Sequence, residues 1–136
     1  MWIFLNDAFL SIVEDKNNPD FLLVRGRIKG DIEQVFPDYL AIEGEGTDYR
    51  FRALVERDIV AEALYHAACN VDYGNFKSSV QERERHDKYM KVWEVMANWQ
   101  SQAESRERAT EKAAKLAAKS AEKPLKPASK RVKTSG

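Results

Sequence analysis

The chain of 136 residues contains one cysteine, Cys69, and two histidines, His66 and His86. A single thiol excludes an intramolecular disulfide and any zinc site built from several cysteines. There is no H-x-x-x-H or comparable ligand spacing, no nucleophile motif and no glycine-rich phosphate loop, so no metal and no cofactor are expected. Long apolar runs are missing as well, and none approaches the roughly 18–20 residues needed to span a bilayer. The apolar opening Met1-Trp2-Ile3-Phe4-Leu5 lacks a basic leader and meets Asn6-Asp7 at once, which does not fit a signal peptide. A cytoplasmic protein without a membrane segment is the expectation.

What is present is ample apolar residue for a core (43%) and a high charge content (32%). The formal net charge of zero hides an asymmetry. Residues 1–100 carry 12 Lys/Arg against 18 Asp/Glu, a net of −6, whereas residues 101–136 carry 10 against 4, a net of +6. The sequence therefore reads as a compact acidic body over residues 1–100 and a basic Ala/Lys-rich tail over 101–136.

Within the body, Trp2 to Leu5 and Ala8 to Val13 are strand-like runs that Asn6-Asp7 would join as a hairpin. Phe21 to Ile28 is a third strand after the loop "DKNNPD", and Gly30-Asp31 opens a short helical turn closed by Pro37. Tyr39 to Glu43 and Tyr49 to Glu56 are two more strands around "GEGTD". The period then becomes helical: Val60, Ala63, Leu64, Ala67 and Val71 share one face. Ser79-Val80-Gln81-Glu82 has the form of a capping box opening the next helix. Strands first and helices last imply an α+β fold, a small antiparallel sheet of about five strands with two to three helices on one face.

Two constellations in the body bear on chemistry. In the helix after Ser79, Tyr89, Val92, Trp93, Met96 and Trp99 fall on one arc, a pattern expected to face a core, where Trp93→Ala would cost on the order of 3–5 kcal/mol. His86 shares that arc and is the weak candidate for a catalytic base, flanked by Glu82, Arg83, Arg85 and Asp87. In "LLVRGRIKG", Arg25 and Arg27 share one strand face; in "DYRFRALVE", Arg50 and Arg52 do so, opposite Tyr49, Phe51, Ala53 and Val55. Together the four would offer guanidinium forks to phosphates or carboxylates, unless Glu43, Glu45 and nearby acids pair with them.

The tail changes character. Ser101 to Lys123 is rich in good helix formers, and Glu104–Arg108 and Glu111–Lys115 are i, i+4 pairs in the favourable orientation. Arg108, Lys112, Lys115, Lys119 and Lys123 would form a continuous basic stripe on a helix, until Pro124 and Pro127 stop it and "ASKRVKTSG" continues as disordered chain. Such a stripe suits polyanions and carries no base-reading signature.

The run "MWIFLNDAFLSIV…LLVRGRIKGDIEQVFP…DYRFRA…NFKSSV…RHDKYMKVW" resembles a group of small bacterial proteins without an assigned activity. The likeness covers about residues 1–100 and excludes the tail; it implies one compact bacterial domain and brings no catalytic residues. The function expected from the sequence is a non-enzymatic interaction protein. It would contact DNA or RNA non-specifically through the tail lysines and, secondarily, Arg25, Arg27, Arg50 and Arg52. An adaptor or inhibitor that binds a protein partner through the acidic body is the first alternative. A small hydrolase or nuclease using His86 is the second, and a homodimer through a sheet edge or aromatic surface is compatible with each.

Overall fold

The computed structural model describes residues 1–44, 47–129, 132 and 135. Glu45 as an arginine partner, and the disorder expected at Lys130, Arg131, Lys133, Thr134 and Gly136, lie outside the described residues. The chain divides into two compact units, Met1–Lys91 and Val92–Gly136.

The first unit is built on strands β1 (Trp2–Phe4), β2 (Phe9–Glu14), β3 (Phe21–Gly26), β4 (Ile42–Glu43) and β5 (Phe51–Glu56). They form one antiparallel sheet in the order β1-β2-β3-β5-β4. The hairpin expected at Asn6-Asp7 is closed by the Leu5 N–H donating to the Ala8 carbonyl at 2.8 Å. Helices α1 (Asp31–Val35) and α2 (Arg57–Cys69) follow β3 and β5, α3 (Phe76–Ser79) is a single turn, and α4 (Arg83–Ala121) runs unbroken for 39 residues. This is the α+β architecture that the switch from strand to helix period implies.

Alternation puts Leu10, Ile12, Leu22, Val24, Phe51, Ala53 and Val55 on one face of the sheet, where α1 adds Ile32 and Val35 and α2 adds Val60, Ala63 and Leu64. Val24, Ile32 and Val55 are fully buried. Gly26 lets α1 approach, since a Cβ there would stand 3.3 Å from Ile32 Cγ1. Gly30 takes φ +94° to turn the chain into α1, a backbone region that side chains disfavour.

Several local expectations change. The strand expected over Tyr39 to Glu43 shrinks to Ile42–Glu43, because Glu33 accepts the Ala41 N–H at 3.1 Å and the Tyr39 N–H goes to the Phe36 carbonyl. Ser79 ends α3 instead of capping the next helix: its hydroxyl donates to the Phe76 carbonyl at 2.6 Å, while Asn75 caps α3 by accepting the Lys77 N–H. Most consequential, the aromatic arc of α4 is not core. Val92, Trp93, Met96 and Trp99 are 42%, 52%, 51% and 60% exposed, while His86, Tyr89, Met90 and Ala97 are partly buried. An amphipathic pattern records that a face is apolar, not what covers it.

Candidate functional site

The arginines separate into two kinds. The β3–β5 register sets Arg25 directly opposite Arg52, on the sheet face away from α1 and α2. Along the same cross-strand row stand Trp2, Ser11 and Ile42. Arg25 donates to the Ser11 hydroxyl at 2.8 Å and lies 4.5 Å from the Tyr49 ring centroid. Neither Arg25 nor Arg52 has a carboxylate partner among the described residues, and the Nε of each is buried without an acceptor. Like charges placed directly opposite repel, so this pair is an uncompensated positive spot in an acidic body.

Arg27 and Arg50 are spoken for. Arg27 pairs with Asp48 at 3.3 Å, also donates to the Asp48 carbonyl, and stacks 4.1 Å from the Tyr49 centroid. The bond to Asp48 holds its guanidinium above the ordinary arginine range, against a smaller opposing effect of burial. Arg50 pairs with Glu43 at 2.6 Å, the acid named from sequence. The four arginines are thus not one open cluster but two ion pairs and one pair, Arg25 with Arg52, that has no carboxylate partner among the described residues. Strand alternation misplaced Tyr49, which precedes β5 and is 3% exposed, its ring covered by Arg25 and Arg27. A tyrosine two residues ahead of a strand, with arginines alternating on the neighbouring strand, is the signal that could have found this cation–π stack.

His86 is not at the centre of a constellation. Its side chain is 38% exposed with Nδ1 at 3.5 Å from Asp87, while Glu82 is engaged by Arg85 at 3.1 Å. His66 lies on α2 beside Glu62 at 3.6 Å, both well exposed. Among the described residues no group of three or more His, Cys, Asp or Glu side chains could hold a metal.

The buried polar feature that sequence reading missed is Arg85. It forms a two-pronged bond with Asp31, Nη2 to Oδ1 at 2.7 Å and Nη1 to Oδ2 at 3.0 Å, with the two side chains 7% and 4% exposed. Asp31 Oδ2 also accepts the Phe9 N–H at 2.9 Å. Tyr89, one turn along α4, donates towards the Leu5 and Ala8 carbonyls and packs edge-on against Phe4. Burial alone would lower the Arg85 pKa, but the bonds to Asp31 and Tyr89 outweigh it and the guanidinium is held above its ordinary range. Burial likewise raises the Tyr89 phenol, with Arg85 opposing. A cavity of about 270 Å³ beside this group is lined by Phe9, Arg27, Ile28, Glu84 and Lys88. It is at the small end for an organic ligand and mixes charges of both signs.

In the second unit, α4 carries Arg108, Lys112, Lys115 and Lys119 on one face, with Glu111 and Leu116 at its borders. Lys123 lies just past the helix end, in a bend. Glu104 accepts from Arg108 at 3.4 Å, and both are exposed. At about 1.5 Å per residue the stretch from Arg108 to Lys119 is ~16 Å long.

The class these observations define is an α+β protein with a five-stranded antiparallel sheet and a long C-terminal helix. No family model, no curated protein and no solved structure matches the chain. Among the described residues no helix is long and apolar enough to cross a membrane.

Proposed function

We propose that the protein is a non-enzymatic, nucleic-acid-associating protein whose principal contact is the basic stripe of α4. The observation that carries this reading is that Arg108, Lys112, Lys115 and Lys119 share one face of an exposed, unbroken helix. Guanidinium and ammonium groups repeated every three to four residues can follow a phosphate backbone, and each phosphate neutralised releases counterions. Four such contacts give a log–log salt slope of about −3.6 on duplex DNA, about −4.5 if Lys123 joins them. Nothing in the stripe reads base edges, so binding is uniform across sequences. The Arg25–Arg52 pair, without a carboxylate partner among the described residues, is a second, smaller anion contact on the body.

Salt-dependent binding of a labelled duplex to the full chain tests the reading. Substituting Arg108, Lys112, Lys115 and Lys119 together by Gln preserves helix propensity and is expected to reduce the slope's magnitude by about 3.6, leaving only the share of Lys123 and the Arg25–Arg52 pair. Arg25→Gln with Arg52→Gln is expected to reduce its magnitude by no more than about 2. An unchanged slope in the stripe variant overturns the proposal.

A further inference from the structure

We infer that the sheet face away from α1 and α2 binds single-stranded nucleic acid, with a backbone phosphate shared by Arg25 and Arg52 and a base stacked on Trp2. The inference rests on the nucleic-acid reading and adds to it the form of the ligand and a second site. The register sets Trp2, Ser11, Arg25, Arg52 and Ile42 in one row across all five strands. At about 4.8 Å between strands, Arg25 and Arg52 are ~5 Å apart, Trp2 stands ~10 Å beyond Arg25, and the row is ~19 Å long. Trp2 is 68% exposed and Ile42 74%, and Leu54 in the next row of the same face is 50% exposed. Phe9 props the indole, with the two ring centroids 6.3 Å apart and the planes at 75°.

Three observations favour an unpaired strand as the occupant. The first is charge. Arg25 and Arg52 face one another without a carboxylate among the described residues, so an anion between them turns repulsion into attraction. Arg25 gives Nη2 to Ser11, but its Nη1 and both Nη atoms of Arg52 have no partner among the described residues and, unlike the Nε atoms, are not buried. Those open donors suit the oxygens of one phosphate held by two guanidiniums. The second is the apolar flank. A flat base can stack on Trp2 whatever its identity, whereas a duplex keeps its base faces inside the stack. The third is the position of the arginines in the sheet. They stand on β3 and β5, interior strands whose backbone groups pair with neighbours on both sides. An acidic peptide crossing there would find no strand edge and gain none of the main-chain bonds that hold an added strand. A nucleic acid carries its charge on its own backbone and needs no such edge.

The test uses the full chain with Arg108, Lys112, Lys115 and Lys119 changed to Gln, so that the α4 stripe does not mask the sheet face. Its ligands are a labelled oligothymidine and a labelled duplex of equal length. Oligothymidine is expected to bind at least about fivefold tighter than the duplex, the low end for one stacked base. Trp2→Leu keeps apolar bulk at an exposed position and is expected to remove that preference, while Trp2→Phe keeps an aromatic face and retains most of it. Arg25→Gln with Arg52→Gln is expected to reduce the magnitude of the single-strand log–log salt slope by about 0.7, the share of one phosphate. A cooperative urea transition in each variant shows that the body is folded. No preference for oligothymidine, a preference that survives Trp2→Leu, or a slope unmoved by the arginine substitutions overturns the inference. So does polyglutamate that displaces oligothymidine as well as unlabelled oligothymidine does, since that surface would recognise charge alone. Duplex binding indifferent to the four Gln substitutions sinks only the α4 reading, because the Trp2 effect is read as a ratio of single strand to duplex.

Discussion

Replacing Arg85 by Met keeps the length of the side chain and removes its charge, leaving the Asp31 carboxylate buried with only the Phe9 N–H for company. Removing one partner from a buried ion pair costs about 3–5 kcal/mol, because the abandoned charge keeps its desolvation cost and loses its compensation. Here the loss reaches further than one contact. Arg85 also meets Glu82 and the Tyr89 hydroxyl, and Asp31 holds the start of α1 against the first residue of β2. Through the Asp31 carboxylate, three segments distant in sequence are tied together. In urea, with an m-value of about 1–1.5 kcal/mol/M, the midpoint is expected to fall by ~2–5 M. Against a usual total of about 5–15 kcal/mol, that leaves the body barely folded.

The double variant Asp31→Leu, Arg85→Met separates charge from shape. Removing both charges takes away the desolvation cost along with the attraction, so it is expected to be less damaging than the two single losses added together, with a coupling of about 2 kcal/mol or more. Its remaining cost is the orphaned Phe9 N–H, about 1–3 kcal/mol. Additive single effects, or an Arg85→Met cost under about 1 kcal/mol, would refute the view that the pair anchors the helix start.

Two further outcomes follow from the same packing. Tyr39 donates to the Glu56 carboxylate, which lowers the Glu56 pKa and raises the Tyr39 phenol to about 12. A lowered carboxylate contributes stability at neutral pH that is lost as pH falls through the carboxylate range. A raised phenol contributes stability that is lost as pH rises from its ordinary value near ~10 towards the raised one. Tyr39→Phe is therefore expected to flatten both limbs of a melting temperature–pH profile; unchanged limbs would mean the bond carries nothing. Leu10→Ala, at 1% exposure, is expected to cost about 2–5 kcal/mol, whereas Trp93→Ala, at 52%, should cost less than about 2 despite removing a far larger side chain. Denaturant midpoints of the two variants rank them, and a costlier Trp93→Ala contradicts the exposure.

How much of this was legible follows what each inference rested on. The strands of the sheet and α2 were readable because alternation at Leu10-Ile12 and Val24-Gly26, and the 3.6-residue recurrence from Val60 to Leu64, are consequences of one face meeting one core. The helix cap at Ser79 failed because S-x-x-E is a local signal, and Ser79 found a local rival in the Phe76 carbonyl. The Asp31–Arg85 bond joins residues 54 apart, and nothing periodic marks either one. The basic stripe needed only helical continuity through Gln100, which alanine, glutamate, lysine and arginine supply. The arginine row was half legible: strand parity put Arg25 and Arg52 on one face, but which of the four would meet acids depended on the positions of Glu43 and Asp48.

The reassignment of the α4 aromatics has a physical corollary. The body's core cluster draws on β2, β3, β5, α1 and α2, and among the described residues it includes none from α4. The helix start is held instead by a polar anchor, Arg85 on Asp31 with Tyr89 on the Leu5 and Ala8 carbonyls, supported by the aromatic contacts of Phe4 and Phe76. A buried, directional bond fixes register where apolar packing would tolerate slippage. Val92, Met96 and Trp99 take no part in that anchor. Exposed tryptophan and methionine on a helix face work against solubility in an isolated chain, and the charges of the same helix lie mostly on its other sides. Truncating these side chains leaves the body's core cluster untouched, so such variants report on the surface of α4 and not on the packing of the sheet.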